Sequence, residues 1–260
     1  MIVWLASYPR SGNSFLRTAL YAHFGCRSAT KYHLNEGEGR SEYKLRTPLS
    51  LGELAASRDL YFVKTHDLPA RDDFPAIYQV RDGRDSLLSY AWRVLEKEQG
   101  LNRTKITPRA FRAMLTNLMT SHRSPFGTWS SNAAAWYRRP RTVHLRFEEM
   151  IRTPALVVDA IRRLGLDLAP LPNPVMPTFT QLHQARPGSF RQGKEGAWKQ
   201  EFPADLLAEF WALHGKMMDR LGYHAGNPAE RAAVADAASL HQSWLGAVAA
   251  KCQSAYRLFR

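Results

Sequence analysis

Residues 2–15 read IVWLASYPRSGNSF and carry the clearest structural signal in the chain. The first six are apolar or small, as expected of a strand that is buried on both faces of a parallel sheet. A loop follows from Tyr8 to Ser14, and apolar side chains then recur at helical spacing as far as Phe24. Strand, loop and helix in this order predict the first unit of an α/β fold.

Further strand-and-helix units follow along the chain. The buried strands are predicted at Leu60 to Lys64, Ala76 to Val80 and Thr142 to Phe147. After the last two, apolar residues recur at helical spacing over 87–95 and 156–164, and Gly165 is the stop of the later helix. The predicted fold class is therefore α/β, with a P-loop-like parallel β-sheet flanked by helices in a single domain.

One core domain of residues 1–224 is expected, because no linker or charge run divides the 260 residues. Residues 225–260 form a helical extension that packs on the domain or on a partner subunit. Its helix starts at the Asn227-Pro228 capping signal and carries an apolar face of Leu240, Trp244, Val248 and Cys252. Segments 27–58 and 96–128 lack clear periodicity and are the candidate acceptor loops.

The net charge and the two cysteines indicate which kinds of binding partner and which cellular location to expect. The 36 Lys and Arg residues against 23 Asp and Glu give a net charge of +13, which favours a polyanionic partner. Nucleic acid is not expected, because the basic residues are dispersed and no stacking-aromatic motif accompanies them. The chain shows neither a membrane span nor a secretory segment, and its two cysteines look like reduced core residues, so a cytoplasmic location is expected.

The loop from Tyr8 to Ser14 has the properties of a phosphate cradle. It lies where backbone N–H groups and a helix N-terminus face an anion, and Gly12 permits close approach. It lacks the Walker A pattern, because the basic residue, Arg10, precedes the glycine. A purely structural turn would have a similar sequence.

Two other strand ends carry candidate ligands. Lys64 and His66 come at the end of the second predicted strand, where ligands bind in open α/β sheets. Arg81 and Ser89 follow the third strand and could converge on a second phosphate. The alternative for the segment 81–85, which reads RDGRD, is a local ion-pair cluster.

Taken together, these elements resemble the cytosolic-type sulfotransferase family, whose loop reads Tyr-Pro-Lys-Ser-Gly-Thr-Thr-Trp. Its Lys-Thr-His element is similar to residues 64–66, and its Arg-x-Pro-Arg-Asp-x-x-x-Ser element to residues 81–89. Later matches are Trp129 to Trp136, Arg146 to Glu149 and Phe190 to Lys199. The resemblance spans about residues 1–223 and keeps the elements in order.

The resemblance implies a sulfotransferase that uses 3′-phosphoadenosine 5′-phosphosulfate (PAPS) as donor and needs no metal. It implies His66 as the general base, with Lys64 and Arg10 as catalytic cations. The residues that it assigns to the donor are Arg10, Ser11, Gly12, Asn13, Ser14, Phe15, Arg81, Ser89, Phe179, Arg191, Gln192 and Gly193. Of these, Phe15 and Phe179 are expected on adenine, and Arg81, Ser89 and 191–193 at the 3′-phosphate.

The chain also departs from the family pattern. Arg10 stands where the family has Lys, Gln192 where it has Lys, and Gly83 where it has Pro. The family's dimer signature is absent from 199–204, so the oligomeric state, including a homodimer, is left open. The acceptor is expected to be a small molecule, a sugar or a natural product. The alternatives are a nucleotide kinase-like phosphotransferase and a non-catalytic nucleotide- or nucleic-acid-binding module.

Overall fold

A parallel β-sheet organises the part of the chain that this computed structural model describes, residues 1–32, 34, 42–98, 100, 102–121, 125–186, 188–190, 195–226, 231–232 and 234. Within it the strand order is β2-β3-β1-β4-β5. The strands are β1 (Ile2–Ser7), β2 (Ser28–Thr30), β3 (Tyr61–Thr65), β4 (Ala76–Val80) and β5 (Thr142–Arg146). In register, Ala6 of β1 pairs with Thr65 of β3, and Ser7 pairs with Gln79 of β4, so the ends of the three central strands lie side by side.

The predicted strands are confirmed. The bounds of β1 and β4 are those expected, and β3 and β5 differ from the expectation by one residue at their ends. The short edge strand β2 was not predicted, because Ser28-Ala29-Thr30 lacks the apolar run of a buried strand.

Helices cover both faces of this sheet. They are α1 (Asn13–Phe24), α2 (Leu51–Ala56), α3 (Gly83–Arg93), α4 (Pro108–Thr120), α5 (Trp129–Arg138), α6 (Phe147–Met150), α7 (Leu156–Arg163), α8 (Phe179–Ala185), α9 (Trp198–Glu201) and α10 (Ala204–Arg220). A π-helical turn, Val94–Glu98, extends α3, and a short 3₁₀ turn spans Arg103–Lys105. None of the described helices is long and apolar enough to cross a membrane.

The alternation of side chains along β1 divides the core into two layers. Trp4 points to one face, where residues of α3, α4, α5 and α10 pack, whereas Leu5 points to the other, where α1 and α7 pack. Both side chains are almost completely buried. The strand is therefore apolar at every position, as expected of a central parallel strand.

The expectation of two aperiodic segments was wrong. Segment 27–58 contains β2 and α2, and segment 96–128 contains α4, which buries Phe111, Leu115 and Met119 on one face. The stop signal at Gly165 is confirmed by its left-handed φ of 68° just beyond α7. The predicted C-terminal helix with Leu240, Trp244, Val248 and Cys252 lies outside the described residues.

Candidate active site

A cavity of about 800 Å³ opens beside the end of β1. At this point the strand order reverses, because β3 and β2 lie on one side of β1 and β4 and β5 lie on the other. Ligands of open α/β sheets bind at such switch points. The lining contains most of the predicted site residues, namely Arg10, Gly12, Asn13, Ser14, Phe15, Lys64, His66, Arg81, Ser89 and Phe179.

Among the described site residues that were predicted, Ser11 does not line the cavity. Ser11 is buried, and its hydroxyl lies 3.2 Å from that of Ser86. Arg191, Gln192 and Gly193 lie outside the described residues. Phe190, the last described residue before them, lines the cavity.

The loop between β1 and α1 curls around two left-handed residues. Arg10 has φ 67° and Gly12 has φ 87°. A side chain on Gly12 would clash, because its Cβ would lie 2.3 Å from the Phe147 ring and 2.8 Å from Gln79 Nε2. Gly12 is also the N-cap of α1 and offers no side-chain acceptor, so the first N–H groups of the helix are available to an anion in the cavity.

The side chain of Asn13 has a structural contact. Its Nδ2 donates to the Leu5 carbonyl at 2.9 Å and to Ser7 Oγ at 3.1 Å, and the residue is buried. Asn13 and Ser11 therefore hold the loop in place with their side chains. The Ser11 N–H donates to the Tyr8 carbonyl at 3.2 Å, so of this pair it is Asn13 that has a backbone N–H to offer to PAPS.

His66 is held by the backbone of the neighbouring strand. Its Nδ1 lies 2.8 Å from the Ser7 carbonyl oxygen, which can only accept, so Nδ1 carries the proton. In the neutral ring the lone pair is then on Nε2. Burial and then the Lys64 ammonium lower the pKa of His66 to about 3, and Arg10 and Arg17 add smaller effects in the same direction.

Three residues hold the backbone around His66. Tyr32 Oη accepts from the His66 N–H at 2.7 Å, and the two rings stack with centroids 6.3 Å apart. Asn132 Nδ2 donates to the His66 carbonyl at 2.9 Å, and Trp136 Nε1 donates to the Asp67 carbonyl at 3.0 Å. The segment from Trp129 to Trp136, recognised from the sequence, thus positions the residues just after β3. Tyr32 was missed, since nothing in its local sequence marks it.

The RDGRD segment combines both of the interpretations that its sequence allowed. Asp82 and Arg84 form a buried ion pair at 2.6 Å, and the Arg84 guanidinium lies 3.6 Å from the centre of the Trp198 ring. Arg81 instead lines the cavity and donates to the Arg10 carbonyl at 3.2 Å. Ser89 also lines the cavity and accepts from Arg10 Nε at 3.1 Å. The segment is therefore an ion-pair cluster and a cavity wall at once.

Asp85 links this wall to the segment that follows residues 191–194. Its carboxylate accepts from the backbone N–H of Gly196 at 2.7 Å and of Trp198 at 2.9 Å, and it lies 3.6 Å from Arg81. Burial raises the pKa of Asp85. The sequence marked Asp85 only as part of a charge cluster, because its partners are more than 100 residues away along the chain.

Two aromatic side chains line the cavity where adenine binding was predicted. Phe15, on α1, packs edge-on against Phe147 with centroids 6.5 Å apart. Phe179 begins α8, is 41% exposed, and stacks on His183. The helix start is stabilised by a capping box between Thr178 and Gln181.

Comparison with known proteins identifies the family. The family described as Sulfotransferase domain matches residues 2–170, more than half of the chain. The chain belongs to the sulfotransferase family. Its reaction is sulfuryl transfer, and the donor is PAPS. The predictions of an α/β sulfotransferase with PAPS as donor are confirmed, and neither a kinase nor a non-catalytic module is supported.

Solved structures share the sulfotransferase fold at low identity. Mouse sulfotransferase SULT7A1 complexed with PAP is 18% identical with a TM-score of 0.57, over 92% of this chain and 88% of that one. Retinol dehydratase in a complex with retinol and PAP is 17% identical with a TM-score of 0.53, over 84% and 81%. The same enzyme with androsterone and inactive cofactor PAP gives 17% and 0.52, over 84% and 80%. Among curated protein sequences, none matches this chain.

The cavity of this sulfotransferase has further polar walls that the motifs did not mark. They are formed by Arg17, Tyr32, Lys44, Arg93, Arg152 and Arg186. Most of these residues lie in or beside segments for which the sequence predicted no strand or helix. Among the described residues, no group of three or more His, Cys, Asp or Glu side chains could hold a metal ion.

Proposed function

We propose that this sulfotransferase transfers the sulfuryl group of PAPS to an acceptor hydroxyl or amine by in-line displacement, with His66 as the general base. The observation that carries the proposal is the contact of His66 Nδ1 with the Ser7 carbonyl. It leaves Nε2 as the proton acceptor in a residue that lines the cavity. Tyr32 and Asn132 hold the same residue by its backbone, so the ring needs no large rearrangement before it acts.

In this mechanism Nε2 of His66 takes the acceptor's proton while the acceptor atom bonds to sulfur. The bond from sulfur to the bridging oxygen breaks, and adenosine 3′,5′-bisphosphate (PAP) leaves with the electron pair. The low pKa of His66 keeps the imidazole neutral, which is the state that a base requires. The negative charge of the donor beside Lys64 raises that pKa, because it offsets the cation that lowers it.

Cations of the cavity stabilise the leaving group. Lys64 lies two residues before His66 and lines the same cavity, which supports Lys64 as the cation beside the transferred group. Arg10 reaches Ser89 through Nε and therefore lies between the two phosphate positions. We assign it to both the departing 5′-phosphate and the donor's 3′ side.

The residues that bind the rest of PAPS are those assigned from the sequence. Backbone N–H groups of residues 12–14 and the Ser14 side chain receive the 5′-phosphosulfate at the N-terminus of α1, and Ser11 supports this loop through its contacts with Tyr8 and Ser86. Arg81, Ser89 and the segment Arg191, Gln192 and Gly193 take the 3′-phosphate, while Phe15 and Phe179 take adenine. Support comes from the cavity lining and from Asp85, which ties the backbone that follows this segment to α3.

The proposal also covers the acceptor, the cellular location and the domain organisation of the enzyme. The acceptor is a small molecule, a sugar or a natural product rather than nucleic acid, since the basic residues line a cavity together with aromatic side chains, as in small-ligand sites. The enzyme works in the cytoplasm, in keeping with the free thiol of Cys26. Residues 1–224 are the catalytic domain, and 225–260 form an extension that packs on it or on a second subunit.

The test is His66→Ala with His224→Ala as the matched control, since His224 is exposed. An acceptor is first found by mass spectrometry, as a product that gains a sulfonate when PAPS is supplied. His66→Ala is expected to lose at least about 100-fold in turnover, because general-base removal has that size, and to keep its affinity for PAP. Normal turnover by folded His66→Ala would overturn the assignment, as would an equal loss in the control.

A further inference from the structure

The side chains of Arg93 and Lys97 lie close together, beside the segment that leads to residues 191–193. Arg93 is the last residue of α3, and Lys97 lies in the π-helical turn that follows. A Cβ on Gly188 would lie 3.7 Å from Arg93 Nη1 and 3.5 Å from Lys97 Nζ, so both charged groups approach the same point. Within the described part of the chain, neither side chain has a hydrogen bond, an ion pair or a cation–π contact. Two like charges held close together favour an anion beside them.

The position of Arg93 on α3 directs its side chain towards Ser89. The two residues are four apart, and helical side chains at this spacing are neighbours on one face. Long helical side chains also lean towards the N-terminal end of their helix, so Arg93 extends over the turn that carries Ser89. Both residues line the cavity, and Arg93 is half-buried, whereas Lys97 is exposed. Arg93 therefore lies next to a residue that the proposed function assigns to the 3′-phosphate.

The contacts of Arg10 connect Ser89 with the point that Arg93 approaches. Arg10 Nε donates to Ser89 Oγ at 3.1 Å, and Arg10 Nη1 donates to the Gly188 carbonyl at 3.1 Å. Gly188 is the residue beside which Arg93 and Lys97 meet. The loop after β1, the second half of α3 and the segment that ends at residue 190 thus enclose one part of the cavity, and cations come from the first two.

The 3′-phosphate needs more positive charge than its assigned residues supply. Arg81 lies 3.6 Å from the buried Asp85 carboxylate, which offsets part of its charge. The segment 191–193 brings Arg191, but Gln192 stands where the sulfotransferase family has Lys. A phosphate monoester carries a charge of about −1.5 to −2 at pH 7 and three acceptor oxygens. Another Arg fits this requirement, because its planar guanidinium can bind phosphate through two donors.

We propose that Arg93 is a further donor-binding residue of this sulfotransferase, which binds the 3′-phosphate of PAPS beside Ser89, and that Lys97 adds positive charge from the following turn. In this chain, α3 then supplies the charge that Gln192 does not. The inference rests on the proposed function, because it takes Ser89 as part of the 3′-phosphate site.

The test compares the affinities of PAP and adenosine 5′-phosphate for the full-length protein, measured by isothermal titration. Arg93→Gln is expected to weaken PAP by at least about tenfold, the size of one charge-assisted contact. It should change the affinity for adenosine 5′-phosphate by less than about twofold, because only PAP carries the 3′-phosphate. Arg93→Lys should fall between Arg93→Gln and the wild type, since it keeps the charge and loses the planar fork. Lys97→Gln should weaken PAP by less than about fivefold, because exposed charges contribute little.

Arg109→Gln is the matched control, because Arg109 is exposed on α4, lies outside the lining and changes the net charge equally. The proposal is overturned if Arg93→Gln binds PAP as the wild type does, or if it weakens both nucleotides equally. Wild-type affinity for PAP together with a raised KM for the acceptor would place Arg93 at an anionic group of the acceptor and overturn it too. If the wild type itself does not bind PAP, the proposed function fails instead, so the two failures are distinguishable.

Discussion

The hydrogen bond between His66 Nδ1 and the Ser7 carbonyl is the contact on which the proposed chemistry depends most directly. The sequence identified Lys64 and His66 as a pair because both lie at the end of a buried strand. It could not identify the tautomer, which is set by a carbonyl of β1, nor Tyr32, whose hydroxyl reaches His66 across the sheet edge. Residue types near strand ends are readable from sequence, whereas their partners depend on how the strands lie side by side.

The lowered pKa of His66 predicts an unusual titration. Because the folded pKa is about 3, the imidazole stays neutral as the pH falls from 8 to 5, whereas an ordinary histidine protonates near 6.5. Binding of PAP is expected to raise this pKa, since its phosphates offset Lys64 and favour the imidazolium. Histidine proton NMR from pH 8 down to the lowest pH at which the protein stays folded, with and without PAP, follows the His66 titration in both states. A His66 signal that titrates near 6.5 in the protein alone would contradict the prediction.

The lowered pKa of His66 also makes the free energy of unfolding depend on pH. The unfolded chain binds the proton at a higher pH than the folded one, so the contribution of His66 to stability is complete above about pH 6.5. It is lost progressively as the pH falls from there towards 3. Urea unfolding of wild type and His66→Ala at pH 7 and pH 5 is expected to show the larger loss in the wild type.

Arg81 is predicted to discriminate between donor products. Arg81→Ala should weaken PAP by about ten- to a hundredfold, the size of a charge-assisted contact, and adenosine 5′-phosphate far less, because only PAP carries the 3′-phosphate. Arg81→Lys should fall between, since it keeps the charge and loses the planar fork. Titration calorimetry with both nucleotides measures this. Equal weakening of the two would mean that Arg81 serves only its contacts with Asp85 and Phe147.

At the scale of elements, the central strands were the easiest to predict and the short ones the hardest. A strand such as β1 is apolar throughout because both of its faces are covered. The edge strand β2 has no such pattern, and only its pairing with β3 defines it. The helix α4 was missed although its signals are present, since Thr107 caps it, Pro108 occupies its first turn, and Phe111 and Leu115 have helical spacing.

The start of α3 predicts a stability difference between two helical glycines. A Cβ on Gly83 would lie 2.9 Å from the fully buried Trp129 ring, so Gly83→Ala should destabilise by about 1–3 kcal/mol through overpacking. The control is Gly52→Ala in α2, which has no atom closer than 4.0 Å and should be neutral or stabilising by about 0.5–1 kcal/mol. Urea unfolding curves compare them. Equal effects would show that the Trp129 ring can move aside. A larger residue at this position, such as the Pro that the family has where this chain has Gly83, would then need no change in the surrounding packing.

For the whole molecule, the parallel sheet explains why the site could be found from sequence. The carboxyl ends of β1, β3 and β4 are adjacent, so the loops that follow them must meet, and the motifs at Arg10, His66 and Arg81 were correctly placed together. The contacts of Arg17 and Arg186 with the Tyr43 ring could not be found in this way. They join α1, residue 43 and the end of α8, and such contacts are set only by tertiary packing.

A thermal-shift experiment tests whether specific contacts or net charge control ligand binding. A net charge of +13 would attract any polyanion, so charge alone predicts similar stabilisation by PAP, ATP with magnesium and an oligonucleotide. The proposed site instead assigns separate residues to the two phosphates of PAP, so PAP should stabilise most, by about 2.7 kcal/mol at a hundred times its Kd. For a chain of this size that corresponds to a rise in Tm of about 5–10 °C. Added salt should lower this rise only partly, because buried contacts are screened less than surface charge. Equal shifts with all three ligands, abolished together by salt, would show that the cavity binds by charge alone.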